Sequence, residues 1–203
     1  MMKTVEQDHG DVMTPGMYGL PDFVRDLRAI TAQTQDSDAI TARVAPLARA
    51  LALSPGWLGA QHYVPNEEQG FGIWVLHEEP DHSLLVFAAA WAPGRGVAPH
   101  NHGTWVVVAG VDGAERNVCW ERVDDGSRPG YAKIRKVREE LFGPGEVFTL
   151  RPDDIHSVTN DTARVTVSLH VYGFNLNLTT RSQFDPERDI EAPVTLTMNS
   201  ASS

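Results

Sequence analysis

The sequence predicts a mainly β protein, an antiparallel barrel or sandwich with a helical N-terminal third packed on it. Three observations carry this reading. From about residue 70, short apolar or alternating stretches recur: GIWVLHEE, SLLVFAAAWAP, TWVVVAGV, ERNVCWERV, EVFTLRP and ARVTVSLHVYG. Turn-forming clusters (PDH, PGRG, VDGA, DDGSRPG, GPGE and NDTA) separate them every 8–15 residues, the rhythm of an antiparallel barrel. Before residue 57 the apolar spacing is helical instead.

In chain order, residues 1–19 read as a polar arm without the apolar core of a signal peptide. Residues 21–35 place Phe23, Val24, Leu27 and Ile30 on one helical face, with Pro21 suited to the first turn. A second helix covers roughly Asp38 to Leu53, where Pro46 predicts a kink or a new helix beginning near Ala45. SPG at 54–56 ends the helical part, so the expected helices span about 20–56 and the barrel about 70–180, in one domain of residues 20–190. Residues 191–203 form a polar, Pro-punctuated tail with a loose end at MNSASS.

The 203 residues are 41% hydrophobic and 22% charged, the balance of one globular domain with a real core. The longest apolar run, Leu84 to Pro93, has about half the length of a bilayer span. The single cysteine, Cys119, excludes an internal disulfide framework and fits a reducing cytosol, so a cytoplasmic location is expected. A formal net charge of −10 repels nucleic acid and anionic membranes, leaving small molecules, metals and other proteins as partners. Oligomeric state is not legible.

Eight histidines matter more than the charge. In Pro99-His100-Asn101-His102, residues at i and i+2 of a strand share a face, so both imidazoles can reach one metal ion; an exposed pair at a loop edge is the alternative. About 50 residues on, Gly143-Pro144-Gly145-Glu146 turns into Val147–Leu150, a Pro-Asp turn, and His156 in Asp154-Ile155-His156-Ser157-Val158. Together the two segments resemble the signature motifs of the cupin superfamily, whose fold is a double-stranded β-helix barrel (an antiparallel jelly roll). Many cupins add a glutamate ligand four or five residues after the second histidine, but Gly103 to Val107 holds no acid. The expected ligand set is therefore His100, His102 and His156. Three neutral imidazoles resemble the facial triad of non-haem Fe(II) oxygenases with histidine in place of carboxylate, and zinc would accept them too.

Ser168, His170 and Tyr172 alternate with Leu169 and Val171, so a hydroxyl, an imidazole and a phenol share one strand face. Such a trio can form a hydrogen-bond relay or sit in ordinary buried hydrogen bonds. Lying 12–16 residues after His156, it resembles the Ser-His-Tyr relay of the cysteine dioxygenase family of thiol dioxygenases. The resemblance covers roughly residues 20–190. It implies one Fe(II) per chain, held by His100, His102 and His156, and addition of both atoms of O2 to a small thiol to give a sulfinic acid. It also implies that Tyr172, oriented by His170 and Ser168, donates a hydrogen bond at the reacting centre.

Two departures bear on the substrate. Cysteine dioxygenases hold the substrate carboxylate with an arginine on an early strand, yet this chain has no Arg or Lys between Arg49 and Arg95. Bacterial 3-mercaptopropionate dioxygenases, which the chain resembles most, use an arginine nine residues after the relay tyrosine, which is Arg181 here. A guanidinium offers the bidentate fork that a carboxylate accepts. Taken apart from the resemblance, Arg181 reads as a solvated tail residue. The cysteine that crosslinks to the tyrosine in animal enzymes is missing from Gly103–Val107, and Cys119 reads as a small core residue, so no thioether crosslink is expected.

His62 reads as a loop histidine or a lining residue of the pocket mouth, His77 and His82 as solvated turn residues, and Trp105 as cavity wall or core. The competing functions are dioxygenation of cysteine, cysteamine or another small thiol without help from Arg181, a non-catalytic metal-binding cupin sensor, and a zinc or manganese cupin isomerase.

Overall fold

The computed structural model describes residues 18–199. Most of the expected N-terminal arm and the last four residues of the tail lie outside that range. Two helices, α1 (Leu20–Thr31) and α2 (Ser37–Ala52), precede the strands β1 (Phe71–Glu78), β2 (Leu85–Trp91), β3 (Gly96–His100), β4 (Val106–Asp112), β5 (Glu115–Arg122) and β6 (Ile134–Phe142). There follow β7 (Val147–Leu150), β8 (Ile155–Thr159), β9 (Thr166–Tyr172), β10 (Ser182–Asp185) and β11 (Ile190–Pro193).

The strands form two antiparallel sheets, β1-β2-β9-β4-β7 and β11-β10-β3-β8-β5-β6. Their pairing is nested: β5 pairs with β6, β4 with β7, β3 with β8 and β2 with β9. That is one long hairpin, bent between β5 and β6, wound into a barrel with successive pairs assigned to alternate sheets. The fold is thus the double-stranded β-helix, or jelly roll, with helices on its outside.

The helices and the Leu58–Tyr63 segment together explain why β2 and β9 are buried at every residue. Outward-facing Val86, Val107, Ala109, Leu169 and Val171 pack on Phe23, Leu27, Ile40, Val44 and Leu51 of α1 and α2. Inward-facing Leu85, Phe87, Ala89, Trp91, Val106 and Val108 form a second core inside the barrel. Each fully buried Val, Leu, Ile or Phe among these contributes roughly 1.5–3 kcal/mol over its exposed state. With both faces covered, the sheet can carry polar side chains on its inner face only where they find partners.

Four local expectations differ from the structure. α2 runs unbroken through Pro46, which sits on the exposed face with Ala42, so the helix bond that proline cannot make is lost on the solvent side. Its N-terminus is fixed by Asp36, whose carboxylate accepts from the Ala39 amide at 2.8 Å. β6 was hidden by its composition, because IRKVREELF is an edge strand exposed at every position between its ends. The tail is docked as far as Asn199: β11 pairs with β10, Leu196 and Met198 pack on the inner core, and Asn199 exchanges backbone hydrogen bonds with Ile73 (2.8 Å) and Val75 (3.1 Å). Finally, Cys119 is half-buried beside the Arg138 guanidinium rather than in the core, at a bulge where the β5–β6 register slips. Among the described residues, no helix is long and apolar enough to cross a membrane.

Candidate functional site

His100, His102 and His156 meet inside the barrel, each offering a ring nitrogen within 4.8 Å of the others. His100 closes β3 and is the direct register partner of His156 on β8, which sets the two imidazoles side by side. His102 lies beyond the strand rather than on it, and therefore reaches the cluster from a loop. That loop is tied down by the second motif: the amides of His102 and Gly103 both donate to the Pro152 carbonyl, at 3.3 and 3.0 Å. Gly103 takes a φ of 64°, and a Cβ there would stand 2.7 Å from the Thr180 carbonyl, so the turn requires glycine.

The donor set suits a divalent first-row metal. Burial is the largest influence on all three rings, pushing His100 down to about 3 and the other two well below the usual histidine value, so all are neutral. His100 Nδ1 donates to the Ala98 carbonyl (2.9 Å) and His156 Nδ1 to the Asn117 amide oxygen (2.8 Å), which leaves a lone pair on each Nε2. The Nε2 atoms of His102 and His156 are 3.3 Å apart. Two ligands of one ion, each bound at about 2.1 Å with tetrahedral spread, stand about 3.4 Å apart. His102 Nδ1 is buried without a partner. The cluster contains no carboxylate. Ligand types of this kind fit iron or zinc alike.

The cluster opens into a small cavity of about 30 Å³, walled by apolar side chains including Phe71, Ile73, Phe87, Val158, Leu176 and Leu196. One cation enters it. Arg181 is only 4% exposed, lines the cavity with His100, His156 and Tyr172, and leaves its Nε and Nη1 without a partner. Burial lowers its pKa from the usual arginine value, opposed by the nearby Tyr172. β10 explains the placement, because Gln183 pairs with His100, while Ser182 and Asn101 bond each other and Thr179 Oγ1 donates to the His102 carbonyl at 2.9 Å. The segment that carries Arg181 is thereby stitched onto the loop that carries His102.

On the opposite sheet, Ser168, His170 and Tyr172 point inward from β9. Ser168 Oγ stands 3.0 Å from His170 Nε2, and His170 Nδ1 stands 3.0 Å from the Tyr172 hydroxyl. Burial pushes His170 down to about 3 and holds the Tyr172 phenol far above its ordinary value, so the ring is neutral and the phenol protonated. Phe87 stacks on both His170 and Tyr172, at centroid distances of 4.9 and 5.2 Å, and fixes their planes. The Tyr172 ring centroid lies 5.6 Å from that of His102.

No family model matches the chain. Among solved structures it is similar to an uncharacterized conserved protein with a double-stranded β-helix domain from Klebsiella pneumoniae, at 13% identity and TM-score 0.44 over 63% of this chain and 96% of that one. It is also similar to the Cupin_2 domain of an XRE family transcriptional regulator from Enterobacter cloacae, at 16% identity and TM-score 0.38 over 53% and 99%. An oxalate oxidase in complex with the substrate analogue glycolate matches at 15% identity and TM-score 0.45 over 59% of this chain and 60% of that one. Likenesses of this size say nothing about chemistry.

The other residues singled out lie elsewhere. His62 Nδ1 accepts from the Gly59 amide at 2.9 Å, a local cap away from the cavity. His77 and His82 are paired with Glu79 and Glu78, and Trp105 packs in the outer core beneath the helices. Three buried groups touching the site residues went unforeseen: Asn117 beside His156, and Trp91 and Glu115 beside Ser168. The signal for two of them was the alternation of Glu115 and Asn117 along ERNVCWER, which reads as the solvent face of a strand but is the inside.

Proposed function

We propose that this protein is a non-haem Fe(II) thiol dioxygenase acting on a small thiol carboxylate, of which 3-mercaptopropionate is the type. The reaction is RSH + O2 → RSO2H: both oxygen atoms become bonded to sulfur, which loses the electrons they gain, so no further reductant is consumed. Iron held by His100, His102 and His156 would supply a site where thiol and O2 meet and exchange electrons.

One observation carries the reading. A buried guanidinium with two unpartnered nitrogens lines the same small apolar cavity as the neutral His100 and His156 imidazoles and the protonated Tyr172 phenol. A buried cation without a partner is costly, and a carboxylate offers the bidentate acceptor that offsets this cost. Arg181 would hold the substrate carboxylate and so fix the direction in which its sulfur projects. Tyr172 would donate a hydrogen bond into the space between Arg181 and the histidines, while the apolar wall excludes bulk water.

The reading is tested by O2 uptake of protein loaded anaerobically with Fe(II), against 3-mercaptopropionate, cysteine, cysteamine and mercaptosuccinate, with the sulfinate identified by mass. We expect one sulfinate per O2 and preference for a carboxylate-bearing thiol lacking an amine. Absence of uptake from every thiol, with iron bound, would refute it.

A further inference from the structure

The relay does not stop at Ser168. Its hydroxyl oxygen lies 3.2 Å from Oε2 of Glu115, whose Oε1 lies 3.4 Å from the Thr166 hydroxyl, and Glu115 is only 3% exposed. Trp91 Nε1 donates to the same Ser168 oxygen at 3.1 Å. A serine hydroxyl has one proton and two lone pairs. Trp91, a donor only, takes one lone pair, so one proton and one lone pair remain for His170 and Glu115 together.

We propose that Glu115 is the terminal member of the relay, and that its protonation state sets the direction of every hydrogen bond from Ser168 to Tyr172. With Glu115 neutral, its carboxyl proton goes to Ser168, Ser168 donates to His170 Nε2, and His170 Nδ1–H donates to the phenol oxygen. The Tyr172 proton is then free to point into the cavity. With Glu115 ionised, the carboxylate accepts from Ser168 and every bond reverses. His170 becomes the Nε2–H tautomer, its Nδ1 accepts a hydrogen bond from the Tyr172 hydroxyl, and Tyr172 turns a lone pair to the cavity. Glu115 is a positioning residue, since it reaches the cavity only through the other three.

Burial raises Glu115 to about 8, with the Ser168 and Thr166 hydroxyls pulling it part of the way back. Among the described residues no opposite charge competes for it. On β9 the next titratable groups are His170 and Tyr172; across β6 its register partner is Phe142; Arg116 on its own strand pairs with Asp161, and Asp112 on β4 pairs with Arg164. Below its raised pKa the group is neutral, so the donor order prevails at neutral pH and the reversed order takes over on the alkaline side.

The consequence for turnover rests on the thiol dioxygenase reading; the order of hydrogen bonds does not. The test is ¹⁵N NMR of the histidine rings in the full-length chain loaded with diamagnetic Zn(II), the His170 signals being assigned with His170→Gln. We expect His170 to pass from the Nδ1–H to the Nε2–H tautomer as pH rises through about 8. In Glu115→Gln, whose amide does not titrate, His170 should hold a single tautomer throughout. A wild-type tautomer that does not change, or a change with the same midpoint in Glu115→Gln, overturns the proposal. In iron-loaded wild type, thiol-dependent O2 uptake should fall about tenfold from pH 7 to pH 9 on the alkaline limb, a limb missing from the Glu115→Gln profile. A tautomer switch in a protein that consumes no O2 with any thiol would support the relay and refute the dioxygenase.

Discussion

Replacing Arg181 by methionine should make the free protein more stable and the proposed enzyme worse. The side chain is almost wholly buried, and Nε and Nη1 find no acceptor among the described residues. Each unmet buried donor costs about 1–3 kcal/mol, and the charge adds to that. Methionine keeps most of the reach and the apolar contact while removing both penalties. The expected gain is about 2 kcal/mol or more, read as a higher urea midpoint at unchanged slope. Binding moves the other way, because loss of a desolvated charge pair costs roughly 2–5 kcal/mol, or about 30-fold to several thousand-fold in kcat/KM for a thiol carboxylate. Cysteamine, which has no carboxylate, should not show that loss. The two halves are measured on one preparation, by urea unfolding and by O2 uptake with 3-mercaptopropionate and cysteamine. A variant that is less stable than wild type, yet retains its kcat/KM for 3-mercaptopropionate, would refute the role given to Arg181.

Three further outcomes are expected. Asn117→Ala removes the acceptor that holds the His156 Nδ1–H; metal affinity should fall about 10–100-fold in competition with a chromophoric chelator, and an unchanged affinity would mean that packing alone orients the ring. Tyr172→Phe should leave metal affinity as it is, because the phenol is no part of the histidine cluster, while lowering thiol-dependent turnover or its coupling to O2; equal rates and coupling would remove Tyr172 from the mechanism. Metal-free protein should lose stability as pH falls from about 6.5 toward 3, because the unfolded chain takes up protons that buried His170, depressed to about 3, refuses. His170→Gln should make the slope of unfolding free energy against pH shallower by up to about 1.4 kcal/mol per pH unit in that window, and an identical slope would show that the ring is protonated in the fold.

The barrel was legible because its strands announce themselves by alternation and its turns by Gly, Pro and Asp. Elements that escaped did so for physical reasons. β6 presents charges along nearly its whole length because nothing covers that sheet edge. β10 and β11 are four residues each, too short for a periodic signal, and they are held by pairing with each other and with β3, by buried Phe184 and by the Arg122–Glu191 ion pair. The histidines and the SxHxY alternation were visible as residue types with spacing. Glu115, Asn117 and Trp91 were not, because their partners lie on other strands: Asn117 is 39 residues from His156, and Trp91 is 77 from Ser168.

That distribution follows from how the barrel assigns its strands. The histidines come from the β3–β8 pair and its adjoining loop in one sheet, the relay comes from β9 in the other, and β10 brings Arg181 alongside. Each set is anchored at its rear by a polar group from β5, Asn117 behind His156 and Glu115 behind Ser168, two residues apart on one strand. β5 therefore touches both the three-histidine side and the Ser-His-Tyr side of the cavity without entering it. A one-residue slip of β5 would exchange both anchors at once for Arg116 and Val118, a cation and a hydrocarbon, neither of which accepts a hydrogen bond. The register of this strand thus couples the two halves of the site, and damage to it should impair metal affinity and relay order together, whereas Asn117→Ala or Glu115→Gln alone should impair only one.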